Sequence, residues 1–394
     1  MAYHQRDLFE VGYYETFSAL IDSCGEPATI VVGCGKSKLG ESSAARNLYT
    51  SFRFRAACEI AETLNAKYYV LSGLYGLVEP SKVLPSYDFD IAVADSDHMI
   101  KWCKQIESML KRKKNNIKKI CLLANKIYSE AFMSVCSKQL QQVSVIAPLV
   151  SIDEFYYDDW HRKALSDSKR YRDLRQLYGL IKKSRLSGKT FLLSKLRNQS
   201  LPKRGVYVFL DLNEPNFLGE PGRIVRIGTH AVSEGSKATL KNRLRCHAGQ
   251  IDGTGNHRGS IFRLHVGRAL LVKEETVASL TSWGDGQNAS AYIRNIEKQH
   301  ELRVSEYLGS LEVFVIDADD VPSKNSLRAS IERQLIALCS EDFQLIDHPS
   351  KEWLGQFSSM PTIVRSGLWN LRDVGRKYDA DGSGSVSDII RGFK

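Results

Sequence analysis

The amino-acid sequence predicts an α/β N-terminal domain with a mainly parallel sheet, and a separate C-terminal domain. Its 394 residues are enough for two hydrophobic cores. Between residues 1 and 160, short apolar runs alternate with helical patterns, and this alternation is typical of a parallel sheet with helices on its faces. A strongly basic, helical linker is predicted at residues 161–204, and the second domain at residues 205–394.

Short runs rich in β-branched and other apolar residues predict the strands of the first domain, and apolar residues four apart predict its helices. The predicted strands are Thr29–Gly33, Tyr68–Gly73, Lys119–Ala124 and Val143–Leu149. The predicted helices are Ala44–Leu64 and Asp95–Lys113.

The loops that follow these strands are the predicted binding pocket, because ligands of parallel sheets bind beyond the carboxyl ends of the strands. The loops contain small residues, amide or hydroxyl donors and tyrosines, which suit a flat polar ring such as a nucleobase. Tyr75 or Tyr128 would stack on the ring, and Ser72 and Asn125 would bind its polar edge. Turn formation and helix capping remain the alternative roles. The candidate pocket residues are Gly33, Cys34, Lys36, Ser72, Tyr75, Asn125 and Tyr128.

Much of the positive charge lies between Arg162 and Arg204. The whole chain carries a net charge of +10, whereas this segment has fourteen lysines and arginines against two aspartates. Such a concentration is typical of a nucleic-acid-binding surface, with Lys182, Lys183 and Arg185 as candidate DNA contacts. A solvated linker helix remains the alternative.

The composition predicts a cytoplasmic protein. No apolar run is long enough to span a membrane, and the N-terminus lacks the apolar core of a signal peptide. The eight cysteines include no C-x-x-C pair, which favours reduced thiols over a zinc site or a disulfide framework. The loop Gly33–Lys38 lacks the spacing of a Walker A motif and gives no support for ATP hydrolysis.

The C-terminal half contains the side chains that metal-assisted phosphodiester cleavage requires. Tyr207 lies in one strand-like run, and a helical pattern places Arg243 and His247 on one face because they are four residues apart. Glu332 lies in a later helical pattern. A carboxylate binds a hard divalent cation, a phenol orients or deprotonates water, and a guanidinium neutralises charge on the phosphate.

The order of these residues resembles the GIY-YIG nuclease superfamily, over Leu201 to Lys394. Gly205-Val206-Tyr207 matches the first motif and Arg226-Ile227-Gly228 matches the second. The resemblance implies a small α+β domain with a mixed sheet, and a DNA-cutting enzyme that uses Mg²⁺ or Mn²⁺. It assigns Tyr207, Arg243 and His247 to catalysis and Glu332 to the metal.

The chain departs from that pattern at two places that matter. Arg226 stands where the second motif has tyrosine, and the spacer between the motifs is longer than is usual for the family. The loop Gly255–Arg263 adds His257 as a candidate catalytic base or donor, and precedes a predicted strand at Ile261–Leu271. A surface role remains the alternative for His257. The further candidate DNA contacts are Arg226, Arg245, Arg258 and Arg263. The resemblance also implies that a late asparagine, Asn370, joins the site.

The N-terminal loops resemble the YaaA-like domains of bacteria, over Thr29 to Pro148. The matching segments are Cys34–Lys38, Ala45–Tyr49, Leu71–Leu77 and Pro85–Asp88. This resemblance implies association with DNA and the recognition or removal of bases.

Together the two halves predict a DNA endonuclease whose N-terminal domain recognises, or excises, an unusual base. Restriction of modified or phage DNA, or repair, is the expected setting. Two alternatives stay open. Arg226 in place of tyrosine is consistent with an inactive nucleic-acid-binding protein, and the N-terminal loops are consistent with a nucleobase- or nucleotide-processing enzyme.

Overall fold

The computed structural model describes residues 12–21, 28–89, 91–113, 117, 119–139 and 144–392, which form two compact units. The units divide between Arg172 and Asp173. No helix in this described part of the chain is long and apolar enough to cross a membrane.

The first unit contains seven strands and five helices among its described residues, and helix α6 begins in it. Its strands are β1 (Ala28–Gly33), β2 (Ser43–Ala44), β3 (Lys67–Ser72), β4 (Gly76–Val78), β5 (Val83–Leu84), β6 (Lys119–Leu123) and β7 (Ser144–Ile146). Its helices are α1 (residues 12–21), α2 (Ala45–Leu48), α3 (Phe52–Thr63), α4 (Ser96–Lys113), α5 (Lys126–Gln139) and α6 (Tyr157–Leu186).

The main sheet of the first unit has the order β4-β3-β1-β6-β7. Strands β3, β1, β6 and β7 are parallel, and β4 runs antiparallel beside β3. The central strands are buried on both faces, as parallel sheets covered by helices require. The predicted mainly parallel sheet is therefore confirmed. The start of the fourth predicted strand, Val143, lies outside the described residues.

The predicted helix Ala44–Leu64 is wrong as a single element, because the chain forms α2 and α3 with a break at residues 49–51. Tyr49 bridges to Lys38 in extended conformation. Ser51 then caps α3 by accepting a hydrogen bond from the backbone N–H of Phe54 at 3.4 Å. A residue that caps a new helix cannot also continue the previous one.

The second unit is an α+β arrangement around one antiparallel sheet. Its strands are β8 (Thr190–Leu192), β9 (Gly205–Pro215), β10 (Pro221–Gly228) and β11 (Glu312–Asp317). Its helices after α6 are α7 (Leu240–Ala248), α8 (Ile261–Lys273), α9 (Ala291–Ser310), α10 (Leu327–Ser340), α11 (Pro361–Ser366) and α12 (Val386–Gly392). The sheet order is β10-β9-β11-β8, and every described pair is antiparallel, so the expectation of a mixed sheet is wrong.

Strand β9 separates two hydrophobic cores. Val206 and Val208 point to one face, where they pack with buried residues of α6 and α10. Tyr207 and Phe209 point to the other face, where they pack with buried residues of α7, α8 and α9. This alternation follows from the two-residue period of a strand, and it places Tyr207 on the side of α7.

The predicted strand Ile261–Leu271 is wrong, because this segment forms helix α8. Ser260 caps the helix by accepting from the backbone N–H of Arg263 at 3.3 Å. An apolar run of this kind is compatible with a buried strand or a buried helix, and its periodicity alone does not separate them.

The basic segment at residues 161–204 contributes to folded structure rather than forming a free arm. Ala164 of α6 lies in a core of the first unit, and Leu174 and Leu177 lie in a core of the second. Strand β8 belongs to the sheet of the second unit through its pairing with β11.

Candidate active site

Tyr207 lies in β9 opposite Gly228 of β10. The ring of Tyr207 is fully buried and crosses the backbone of Gly228. A Cβ atom on residue 228 would lie 2.7 Å from Cε2 of this ring, and nearer still to Cζ and Oη. Only glycine at this position leaves room for the ring, so the second motif positions the tyrosine of the first.

His247 connects helix α7 to Tyr207. Thr239 caps α7 by accepting from the N–H of Asn242 at 3.2 Å, and the helix buries His247 against the sheet. The Nε2 atom of His247 lies 3.1 Å from Oη of Tyr207, and its Nδ1 atom lies 2.9 Å from Oγ of Ser260. Arg243 lies one turn earlier and is half-buried.

The imidazole of His247 is neutral near pH 7. Burial lowers its pKa well below 6.5, and the positive charges of Arg226, Arg243 and Arg263 lower it further. Desolvation penalises the charged ring, and like charges add to that penalty. His247 therefore acts with a single ring proton.

Glu332 lies in α10 and is half-buried. Its Oε1 atom accepts a hydrogen bond from the N–H of Thr229 at 3.1 Å, directly after the second motif. Burial raises the pKa of Glu332, Asp373 adds to this increase, and the charges of Arg226 and Arg243 oppose it. The structure therefore brings the carboxylate close to the end of β10 and to both arginines.

Arg226 occupies the position of the second-motif tyrosine and is buried. Its Nη1 atom donates to the carbonyl of Trp369 at 2.6 Å, and its guanidinium lies 4.7 Å from the ring centre of Phe262. Burial lowers the pKa of Arg226, while Tyr207 and Glu332 oppose the decrease. The prediction that Arg226 contacts DNA is corrected, because its guanidinium is buried and donates to a backbone carbonyl inside the unit.

Asn370 binds the backbone of the second motif. The N–H of Ile227 donates to its Oδ1 atom at 3.1 Å, and its Nδ2 atom donates to the carbonyl of Ile227 at 2.8 Å. The N–H of the neighbouring Trp369 donates to the carbonyl of Val225 at 2.7 Å. This late segment therefore hydrogen-bonds to β10 on both sides of Arg226 and holds the strand that carries it.

The donor set is compatible with a metal that keeps most of its water. Among the described residues, no group of three or more His, Cys, Asp and Glu side chains could hold a metal ion. A single carboxylate such as Glu332 fits Mg²⁺, which retains several waters and uses one or two protein carboxylates.

Arg263 was predicted to bind DNA, and the structure corrects this. The guanidinium is fully buried and pairs with Glu301 through Nη2 at 2.6 Å and Nε at 3.0 Å. Its Nη1 atom also donates to the carbonyl of His247 at 2.9 Å. Arg263 therefore supports the end of α7 from inside the unit.

The predictions that His257 is a catalytic base or donor and that Arg258 contacts DNA are also corrected, because both side chains are buried and paired with glutamates. Nδ1 of His257 lies 2.9 Å from Glu301, and its Nε2 atom accepts from the N–H of Gly284 at 3.2 Å. Arg258 forms a bidentate pair with Glu297 at 2.6 and 2.9 Å. Glu297 and Glu301 are four residues apart on α9, a spacing that the sequence displays and that signalled two acceptors on one helix face.

The remaining predicted DNA contacts differ in their exposure to solvent and in their ion pairing. Lys183 and Arg245 are exposed. Lys182 is exposed but lies 2.5 Å from Glu220 in an ion pair. Arg185 is half-buried and forms a bidentate pair with the buried Glu312, so its contact with DNA stays a prediction.

A cavity of about 410 Å³ lies in the first unit at the carboxyl ends of β1 and β6. Of the predicted pocket residues, the cavity is lined by Gly33, Cys34, Lys36 and Asn125. Its wall also includes Phe52, Arg53, Tyr157, Asp158 and His161, which the sequence did not suggest. A cavity therefore lies at the strand ends where the pocket was predicted, and α3 and α6 contribute part of its wall.

The predicted stacking tyrosines do not line this cavity. Oγ of Ser72 lies 2.8 Å from the hydroxyl of Tyr87 and accepts from the N–H of Tyr75, so Ser72 and Tyr75 belong to a neighbouring hydrogen-bonded network. The hydroxyl of Tyr128 accepts from the thiol of Cys34 at 3.3 Å. The predictions that Tyr75, Tyr128 and Ser72 contact a ligand are corrected for this cavity.

Comparison with known protein families matches two segments of the chain. Residues 168–394 match the GIY-YIG domain, and residues 29–154 match a family of unknown function, DUF6884. No comparison supports the resemblance to YaaA-like domains. No curated protein and no solved structure matches the chain. Because the GIY-YIG match spans more than half of the sequence, the chain belongs to the GIY-YIG family, whose domain implies a nuclease that hydrolyses DNA phosphodiesters and generally depends on a divalent metal.

Proposed function

We propose that this chain is an endonuclease that cuts DNA with Tyr207, Arg243, His247 and Glu332. One observation carries the proposal. Side chains from β9, β10, α7 and α10 interact around one place: Tyr207 lies 3.1 Å from His247, and the charges of Arg226 and Arg243 act on Glu332. A phenol, an imidazole, two guanidiniums and a carboxylate from distant parts of the chain supply the groups that this chemistry needs.

Each side chain has a distinct task in this proposal. Glu332 would hold Mg²⁺ or Mn²⁺, which when bound polarises the phosphate. Tyr207 orients the attacking water or takes its proton. Arg243 stabilises the charge that develops on the phosphate oxygens as the water oxygen bonds to phosphorus and the leaving oxygen departs. His247, which is neutral, contributes a hydrogen bond to Tyr207.

The inactive-protein alternative rested on the missing second-motif tyrosine. The buried guanidinium of Arg226 stands at that position, where Tyr207 and Glu332 favour its charged form. A buried cation that interacts electrostatically with both of these groups supports an active site with altered chemistry rather than a lost one.

The test compares three proteins on supercoiled plasmid and on DNA that contains modified bases, with Mg²⁺ or Mn²⁺ at low salt. Wild type and the control Glu306→Gln, an exposed glutamate on α9, are expected to nick the DNA. Glu332→Gln is expected to lose at least about 100-fold in rate while it still binds DNA. Equal cleavage by Glu332→Gln and wild type would reject the assignment. Binding without cleavage of either substrate by wild type would favour the inactive alternative.

A second function is proposed for the first unit, because the cavity at its strand ends has the size of a ligand pocket. Phe52 and Tyr157 offer aromatic faces, and Asn125 offers a polar group. These features support recognition of a nucleobase that has left the helix stack, at an unstacking cost of a few kcal/mol. Recognition coupled to cutting suits restriction of modified or phage DNA, or repair.

Titration of the full-length chain with nucleosides tests this second function. Phe52→Ala should weaken nucleoside binding, whereas Phe155→Ala, an exposed aromatic control outside the cavity wall, should not. Equal binding by both variants would remove the proposed role. Release of free base from DNA would indicate excision, and DNA binding that is insensitive to salt would favour an enzyme of free nucleobases or nucleotides.

A further inference from the structure

We infer that Ser260 fixes the tautomer of His247, so that Nε2–H of His247 donates to the phenol oxygen of Tyr207. Ser260 then acts through His247, and His247 acts through Tyr207, as positioning residues. The catalytic consequence rests on the proposed nuclease function, whereas the tautomer itself does not.

The first step of the argument is a continuous line of hydrogen bonds. Ser260 Oγ lies 2.9 Å from His247 Nδ1, and His247 Nε2 lies 3.1 Å from Tyr207 Oη. Both distances suit either direction of donation. In a neutral imidazole one nitrogen donates and the other accepts, so the direction at Nδ1 determines the direction at Nε2.

The hydroxyl of Ser260 decides that direction. Within the described part of the chain, Ser260 Oγ has two partners: Nδ1 of His247, and the N–H of Arg263 that it accepts as the cap of α8. Ser260 is 1 % exposed. If Nδ1–H donated to Ser260, the buried hydroxyl would accept twice and its own proton would have no acceptor. If Ser260 donates to Nδ1, both groups are satisfied.

The neutral state of His247 completes the step. Burial disfavours a second proton on the ring, and the charges of Arg226, Arg243 and Arg263 disfavour it further. With Nδ1 accepting from Ser260, the one ring proton sits on Nε2 and points at Tyr207.

This direction of hydrogen bonding, from His247 to Tyr207, determines what the phenol can do. Its oxygen accepts from His247, so its own proton projects away from His247. The phenol does not pass its proton to the histidine, and it presents that hydroxyl to the attacking water. His247 is a donor that holds the phenol, not a base that deprotonates it.

Nuclear magnetic resonance of the full-length protein with ¹⁵N-labelled histidine reads the tautomer directly. The His247 signals are identified by their loss in His247→Gln. The expected result is a protonated Nε2 and an unprotonated Nδ1. A protonated Nδ1, or two protonated nitrogens, near pH 7 would overturn the inference. This readout needs no cleavage, so it separates failure of the inference from failure of the proposed nuclease function.

Two variants of Ser260 test its consequence for cleavage. Ser260→Gly removes the hydroxyl but costs a helix cap little, and Ser260→Thr keeps the hydroxyl. Ser260→Gly is expected to lower kcat about 10- to 100-fold with KM little changed, and to give a mixture of the two His247 tautomers. Ser260→Thr is expected to keep the wild-type kcat and the single tautomer. Ser290→Gly, which removes the cap of α9, controls for cap loss. Wild-type kcat in Ser260→Gly would refute the positioning role.

Discussion

Replacing Gly228 by alanine tests whether the second motif is required to leave room for Tyr207. The new Cβ would lie 2.7 Å from Cε2 of the tyrosine ring. Carbon atoms in contact prefer about 3.5–4.0 Å, so the ring would have to move by about 0.8 Å or more. Tyr207 is fully buried, and its ring is flanked by those of Phe209 and His247, with centroids 5.4 and 5.6 Å away. Free space to absorb that movement is therefore small.

The expected cost has two parts. Overpacking of a close-packed core costs about 1–3 kcal/mol. The shift also disrupts the 3.1 Å hydrogen bond between Tyr207 and His247, which contributes about 1 kcal/mol. We therefore expect Gly228→Ala to lower the free energy of unfolding by about 2–4 kcal/mol. Because a displacement of about 1 Å at a catalytic group can reduce rates about 100-fold, cleavage should fall on that scale.

The assay combines urea unfolding with single-turnover plasmid cleavage under conditions where the variant remains folded. Gly179→Ala is the control, because nothing lies within 4 Å of a Cβ at this position in helix α6. That control should gain up to about 1 kcal/mol, since alanine is the better helix former, and cleave like wild type. If Gly228→Ala unfolds and cleaves like wild type, the packing argument fails.

Two further predictions concern buried charge. Arg263→Met should destabilise the second unit by about 3–5 kcal/mol in urea unfolding, because it leaves the Glu301 carboxylate buried without its guanidinium. The control Lys183→Met should change the free energy of unfolding by less than about 0.5 kcal/mol. Equal effects of the two substitutions would contradict the structural role of Arg263. Burial lowers the pKa of His161 to about 4, so the unfolded chain binds more protons between pH 4 and 6.5 and stability falls as pH decreases through that range. Between pH 7 and 5 the wild type should lose about 2 kcal/mol more than His161→Asn, and identical losses would refute the shift.

The N-terminal sheet could be predicted from sequence because its strands are buried on both faces and read as short apolar runs. Ile30 and Leu122 in such runs are almost completely buried. The break between α2 and α3 could not be placed, since the apolar spacing continues through it and the cap at Ser51 outweighs that pattern. Helix α8 was missed for a related reason, because its apolar run is equally compatible with a strand.

The candidate site, like the fold, could be predicted from the sequence only in part. Tyr207 and Glu332 could be singled out because motif order survives in a sequence. The partner of Arg263 could not, because Glu301 lies 38 residues away and pairing across that distance depends on the fold. Ser260 had a visible signal, a serine directly before an apolar run, which is typical of a helix cap. That signal favours a helix over a strand at α8.

Arg226 explains why the altered second motif is compatible with this site. A tyrosine carries no charge, whereas a buried guanidinium needs acceptors, and the chain supplies the carbonyl of Trp369 at 2.6 Å and the opposite charge of Glu332. Burial keeps His247 neutral, and the positive charges of Arg226 and Arg243 disfavour a further positive charge on its ring. The single ring proton of a neutral histidine can be donated to the phenol, and the ring then adds no further positive charge near Arg226 and Arg243. The substitution of arginine and the neutral state of the histidine are therefore parts of one electrostatic arrangement.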